Sequence, residues 1–141
     1  MNIDRLLRVK QRIVAEPDGF DMDEYVSSCG TACCIGGHAA IDAGLITLRT
    51  TPRADMPGLS YELTPTGALS VGGMVFGSGV NGVGVFADAL DLLPSEANRL
   101  FFTANWPKGF RLPFDQAKTP AARAAIAARR IDHFLATEGR E

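Results

Sequence analysis

The fold is decided by one stretch, Thr31-Ala32-Cys33-Cys34-Ile35-Gly36-Gly37-His38-Ala39-Ala40-Ile41-Asp42-Ala43-Gly44. Thr31 carries a hydroxyl of the kind that caps a helix N-terminus, and Gly44 suits the left-handed residue that ends a helix. The side chains between them are small on nearly every side, which lets neighbouring backbones approach closely. We therefore predict a buried central helix over residues 32–43.

Length and composition predict a single domain that spans residues 1–141. The chain is 46% hydrophobic and 21% charged, as globular domains with one core usually are. Its 14 basic and 16 acidic side chains give a net charge of -2, which disfavours nucleic acid and membrane surfaces as partners. Three cysteines, without a secretion signal at the N-terminus, indicate a reducing, cytoplasmic setting.

Helical spacing is clearest at the two ends of the chain. Apolar residues recur at helical spacing over residues 3–14, which predicts an amphipathic helix that ends before Pro17. Thr119 followed by Pro120 is typical of a helix start, and Gly139 is typical of a helix end. A final helix is therefore predicted between these residues.

The middle of the chain, residues 45–84, is rich in glycine and proline and has the character of an insertion. Short pieces with β propensity occur in it at 45–48, 59–63 and 74–76. Two short helices are predicted next, one starting near Phe86 and one after Pro94, followed by a non-repetitive aromatic stretch over 101–114. The predicted fold class is α+β and predominantly helical, with about five helices around one core and a small irregular or β-containing middle.

Four residues are candidate metal ligands: Cys29, Cys34, His38 and His133. Cys34 and His38 are four residues apart and would face the same way on one helix. His133 from the last helix would complete a Cys2His2 set suited to zinc. The spacing matches no standard zinc finger or ribbon, so buried cysteines and a hydrogen-bonded core histidine are favoured, and no cofactor is expected. Zinc is the alternative.

Cys29 and Cys34 are also candidate nucleophiles, because a thiol near a helix N-terminus can have a lowered pKa. His133 would then be the base. Asp132 does not simply orient it, because adjacent residues on a helix point about 100 degrees apart. The alternative function is therefore a thiol- or metal-dependent enzyme that uses Cys29, Cys34 and His133.

Five residues are candidate contacts to a ligand or partner: Gly77, Gly79, Asn81, Trp106 and Phe110. The first three lie in a segment that matches G-x-G-x-x-G, but no acidic residue ends a second strand about 20 residues later, so a flexible loop or hairpin turn is favoured. The two aromatic residues would line a groove, although aromatics most often supply core area.

Arginines occur on two predicted helices, and those of the last helix are Arg123, Arg129 and Arg130. Acidic residues lie between basic ones through the rest of the chain. This pattern is typical of solvated helix faces, and phosphate contact is the alternative.

Four segments carry a resemblance to known sequences: Asn2–Leu7, Cys29–Gly37, Trp106-Pro107 and Arg130–Thr137. Together they resemble a group of small uncharacterised proteins from bacteria and phages with a C-G-T-x-x-C-I-x-G segment and a terminal R-I-D-H-F segment. His38 departs from the aromatic residue expected in that group. The resemblance implies membership and transfers no catalytic residue. The preferred function is a non-catalytic accessory binding protein that acts on a protein partner or a small ligand.

Overall fold

The computed structural model describes residues 1–23, 32–49, 61–70 and 83–141. Within them lie seven α-helices and one two-stranded antiparallel sheet. In chain order the elements are α1 (Ile3–Ala15), α2 (Ile35–Asp42), β1 (Ile46–Leu48), β2 (Tyr61–Leu63), α3 (Pro65–Ser70), α4 (Val83–Asp88), α5 (Pro94–Phe101), α6 (Lys108–Gln116) and α7 (Pro120–Ala136). Two short 3-10 turns lie at Pro17–Gly19 and Thr103–Asn105. The predicted fold class, predominantly helical α+β, is confirmed.

Two of the seven helices were not among the about five predicted from the sequence. The first is α3, where the Thr64 hydroxyl accepts a hydrogen bond from the Gly67 amide at 3.1 Å and so caps the first turn. The second is α6, which contains Pro113 and part of the aromatic stretch predicted to be non-repetitive. A proline removes one backbone donor from a helix, and packing of Phe114 into the core offsets that loss here.

The central helix begins later than predicted. Cys33 is extended, because its amide donates to the Gly19 carbonyl at 3.0 Å and its carbonyl accepts from the Asp21 amide at 3.1 Å. Helix α2 therefore starts at Ile35 with Cys34 as its N-cap residue, and Thr31 lies outside the described residues. Its end is confirmed, since Gly44 has the left-handed φ of 67°.

Close packing at Gly36 joins α2 to the helices that follow the irregular middle. A Cβ atom added to Gly36 would lie 3.2 Å from the Cβ of Phe86 on α4 and 3.4 Å from the ring of Phe101 on α5. Both aromatic rings are buried in the same hydrophobic cluster as α2. The prediction of a buried helix is confirmed over Ile35–Ala40, and the atoms that approach Gly36 belong to aromatic side chains.

Ion pairs join α1 to the end of α2 and to α7. Asp42 at the end of α2 accepts hydrogen bonds from Arg5 at 3.1 Å and from Arg8 at 2.6 Å, both on α1. Lys10 on α1 pairs with Asp132 on α7 at 2.5 Å. Asp42 has its pKa lowered, chiefly by the hydrogen bond from Arg8 and against a smaller opposing effect of burial.

Within the β-prone pieces at 45–48 and 59–63, the described residues Ile46–Leu48 and Tyr61–Leu63 form the antiparallel pair of β1 and β2, in which Ile46 lies opposite Leu63. The piece at 74–76 lies outside the described residues.

The last helix is confirmed: Thr119 caps α7 by accepting from the Ala122 amide at 3.2 Å, and Gly139 has a φ of 70°. In the part of the chain that the structure describes, no helix has the length and apolar character needed to span a membrane.

Replacement of Gly36 by leucine tests whether the close contact organises the fold. We expect Gly36→Leu to lower the free energy of unfolding by about 2 kcal/mol or more, because the side chain would push α4 and α5 away. Gly109 is the matched control, since it is exposed on α6 and a Cβ there would meet nothing within 4 Å. Gly109→Leu should leave stability unchanged or raise it by up to about 0.8 kcal/mol. Equal urea denaturation curves for the two variants would contradict the packing assigned to Gly36.

Candidate functional site

The described thiols are buried in the core. Cys33 and Cys34 are each 2% exposed. Burial raises the pKa of Cys33 to about 11 and that of Cys34 to about 12, although the amides of Gly36 and Gly37 lower the latter. The predicted lowering of the Cys34 pKa at the helix N-terminus is thus reversed, because removal of water penalises the thiolate more than the helix amides favour it.

His38 is a core residue with one ring nitrogen hydrogen-bonded. Its Nε2 lies 2.9 Å from the carbonyl oxygen of Gly19, and Nδ1 is buried without a partner among the described residues. Burial lowers the pKa of His38, against a smaller raising effect from the Gly19 carbonyl. The neutral ring with its proton on Nε2 fits these contacts, because a carbonyl oxygen needs a donor.

His133 lies in another part of the fold. The 3-10 turn that holds Gly19 borders the first turns of α7, where Asp18 and Arg123 line a common cavity of ≈ 380 Å³. His133 follows Arg123 by ten residues, which is about 15 Å along a helix axis. Among the described residues no three potential ligands come together as a metal site, and Cys29 lies outside those residues. The structure therefore does not bring His133 to Cys34 and His38.

Instead, His133 belongs to a cluster at the C-terminal end of α7. This cluster, here called the Arg130 cluster, consists of Arg99, Phe110, Arg130, His133 and Glu141. The two oxygens of the Glu141 carboxylate meet different side chains: Oε1 pairs with Nη2 of Arg130, and Oε2 lies 3.0 Å from Nε2 of His133. The ring of Phe110 lies 5.2 Å from that of His133, with an angle of 37° between their planes.

Arg130 is fully buried, with 0% of its side chain exposed. Its guanidinium carbon lies 5.9 Å from the ring centre of Phe110 and 5.5 Å from that of Phe134, which is cation-π geometry. Nη2 also donates to the Arg99 carbonyl at 2.9 Å. Burial lowers the pKa of Arg130 and Glu141 opposes that shift, yet a guanidinium stays protonated in proteins. The Glu141 carboxylate therefore supplies the charge that this buried cation requires.

The chain reaches Arg130 from the end of α7 by a tight reversal. Glu138 and Gly139 both have left-handed backbone, with φ of 51° and 70°. A Cβ on Gly139 would lie 3.0 Å from the ring of Phe134, so glycine is needed for conformation and for space. Nη2 of Arg99 donates to the Gly139 carbonyl at 2.5 Å, which holds the reversed segment against α5.

The five candidate binding residues divide into two groups. Gly77, Gly79 and Asn81 lie outside the described residues. Trp106 is 3% exposed and donates from Nε1 to the Leu100 carbonyl at 2.9 Å, so it packs at the start of α6. Phe110 is half-buried beside His133. The structure thus brings together two candidates, Phe110 and His133, that the sequence suggested for different reasons.

Sequence reasoning missed Arg130 and Glu141. The sequence pattern places Arg130 on a solvated face, because acidic residues lie between basic ones through the rest of the chain and the overall balance is acidic. Its neighbour Arg129 is exposed. The available signal was spacing: position 130 is three residues after Ala127 and four before Phe134, and both of these are fully buried. Glu141 gives no such signal, because its contact depends on the reversal at 138–139.

Alkylation kinetics test the burial of the thiols. In a Cys29→Ser background, which leaves only Cys33 and Cys34, we expect slow modification at pH 8 in native buffer and fast modification in urea. A pKa of about 11 leaves about one Cys33 thiol in a thousand ionised at pH 8. Rapid modification of the native protein, with an unfolding midpoint equal to that of the wild type, would contradict the buried environment.

The pH dependence of stability tests the environment of His38. Its pKa is below the ordinary 6.5 in the folded chain, so above pH 6.5 the full stability is present. As the pH falls below that value the unfolded chain gains a proton first, and stability declines by at most about 1.4 kcal/mol per pH unit until the folded pKa is reached. His38→Gln should remove this decline from urea unfolding between pH 5 and 7. His133→Gln should retain it, and parallel wild-type and His38→Gln profiles would contradict the assignment.

The Arg130 cluster is the most developed polar arrangement in the described part of the chain. It combines a buried cation, an aromatic ring, an imidazole and a carboxylate held by both of its oxygens. In comparisons with known proteins, no family model, no curated protein and no solved structure matches the chain.

Proposed function

We propose that the chain is a non-catalytic accessory binding protein of bacterial or phage origin, which acts in the cytoplasm on a protein partner or a small ligand. The observation that carries the proposal is the contact between the rings of Phe110 and His133 at the end of α7. Phe110 is half-buried and the His133 side chain is 40% exposed, so both present part of their rings to solvent. Aromatic side chains anchored in this way are common contact residues in binding interfaces.

The anchoring of Phe110 supports a binding role, because a preordered contact loses little entropy on binding. Trp106 fixes the start of α6 through its hydrogen bond to Leu100, and Phe114 packs against Trp106 with ring centres 5.2 Å apart. In the chain Phe110 lies between Trp106, which precedes α6, and Phe114, which is on α6. Its ring is therefore positioned before any partner arrives.

The environment of the described thiols also favours binding over thiol chemistry. A nucleophilic cysteine needs an accessible thiolate with a base within hydrogen-bonding reach. Cys34 is buried and its pKa is raised. His133 pairs with Glu141 near the C-terminal end of α7. The contribution of Cys29, Gly77, Gly79 and Asn81 remains a prediction.

Affinity capture with paired variants of α6 tests the proposal. Tagged wild-type chain should retain a protein or small molecule from bacterial extract, and Phe110→Ala should reduce retention roughly tenfold or more, since a central aromatic contact contributes that much. Leu112→Ala is the control, because Leu112 is 48% exposed on the same helix and outside the Arg130 cluster. Circular dichroism confirms that both variants fold. Equal retention by Phe110→Ala and Leu112→Ala, or no retention by the wild type, would overturn the proposal.

A further inference from the structure

We propose that Arg130 and His133 form a carboxylate-binding site, that Glu141 occupies this site in the free protein, and that an acidic ligand binds by replacing the Glu141 carboxylate. The inference rests on the proposed function and names the chemistry of its ligand: a carboxylate, from a glutamate or aspartate side chain of a polypeptide or from a small organic acid. Glu141 serves as the intramolecular example of that ligand.

The geometry is that of carboxylate recognition. Arg130 and His133 are three residues apart, so they project from one face of α7. One carboxylate oxygen of Glu141 pairs with Nη2 of Arg130, and the other lies 3.0 Å from Nε2 of His133. Because separate donors contact the two oxygens, the site selects a planar, two-oxygen anion over a single point charge.

The burial of Arg130 distinguishes this site from an ordinary surface ion pair. The neighbouring pair of Arg140 and Glu138 is 80% and 66% exposed, and pairs of that kind contribute little. The side chain of Arg130 has no exposed surface, and that of Glu141 is 10% exposed. Burial of this cation beside two aromatic rings costs solvation energy, and an anion must offset that cost.

Two nitrogen atoms of Arg130 could donate hydrogen bonds to a ligand. Its Nε and Nη1 atoms are buried and have no hydrogen-bond partner among the described residues, whereas Nη2 serves both Arg99 and Glu141. A buried donor without a partner is unfavourable and is satisfied when an acceptor arrives. A free carboxylate can approach the guanidinium in the side-by-side geometry that a tethered Glu141 does not adopt.

The attachment of Glu141 is of a kind that a ligand can replace. The last backbone hydrogen bond of the described chain joins the Arg140 amide to the Thr137 carbonyl at 2.9 Å. The ion pairs of Glu141 with Arg130 and His133 are made by its side chain. Exchange of one carboxylate for another therefore leaves the end of α7 and its reversal intact.

Substitution of Glu141 by glutamine tests the proposal, because it removes the competing charge and keeps the chain length. The probes are acetyl-Gly-Glu-Gly-amide, its Gln analogue and glutarate, titrated by calorimetry into purified full-length chain. We expect saturable binding of the Glu peptide to Glu141→Gln, roughly tenfold tighter than to the wild type, since a tethered carboxylate competes at millimolar effective concentration. The Gln peptide should not bind. Glutarate as tight as the Glu peptide would assign a small acid, and a tighter Glu peptide would assign a polypeptide side chain.

Second-site variants in the Glu141→Gln background identify the residues responsible. Arg130→Met should abolish binding of the Glu peptide. Since a variant of this buried residue can fail to fold, His133→Gln provides a second test at a partly exposed position and should weaken binding. Arg129→Met, the control, removes an exposed neighbouring arginine and should leave binding unchanged.

Three results would overturn the inference: a folded Glu141→Gln chain that binds neither acidic probe, equal binding of the Glu and Gln peptides, or equal losses from Arg129→Met and His133→Gln. Capture of a partner that depends on Phe110, without any carboxylate binding, would reject this inference and leave the proposed function standing. Carboxylate binding without retention of any partner by the wild-type chain would support the site and overturn the proposed function.

Discussion

The backbone of α2 lies close to two aromatic residues at Gly36, and this contact joins the central helix to α4 and α5. Phe86 and Phe101 bring α4 and α5 against α2, although both are more than forty residues away in the chain. Asp42 then joins the end of α2 to α1 through two arginines, and α1 in turn pairs with α7. A larger side chain at position 36 would separate the first half of the core from the second.

Burial has opposite consequences for the charge of Cys34 and for that of Arg130. Cys34 adapts to loss of water by remaining a neutral thiol, as its raised pKa indicates. Arg130 has no neutral form within reach of ordinary pH, so it needs an anion and aromatic faces around it. The structure supplies both, in Glu141 and in the rings of Phe110 and Phe134. The chemically distinctive location is therefore the buried cation rather than the buried thiols.

The candidate site was predictable only in part. The sequence predicts His133 as a ligand or base and Phe110 as a binding residue, but local pattern alone does not indicate that their rings meet. Arg130 was assigned to a solvated face, because charge weighed more than its helical spacing from Ala127 and Phe134. The site depends on the packing of α6 against α7 and on a chain reversal, and neither leaves a short-range pattern in the sequence.

By itself the sequence determined the elements whose signals are local. The apolar periodicity of α1, the Thr119 cap and the left-handed glycines at 44 and 139 act within one or two turns, so each specifies its own element. Tertiary structure decided what depends on distant partners. Extended pairing of Cys33 with Phe20 delayed the start of α2, and the return of Glu141 to α7 gave a buried arginine its counterion. Burial and charge pairing are properties of the assembled chain, because they depend on which surfaces exclude water.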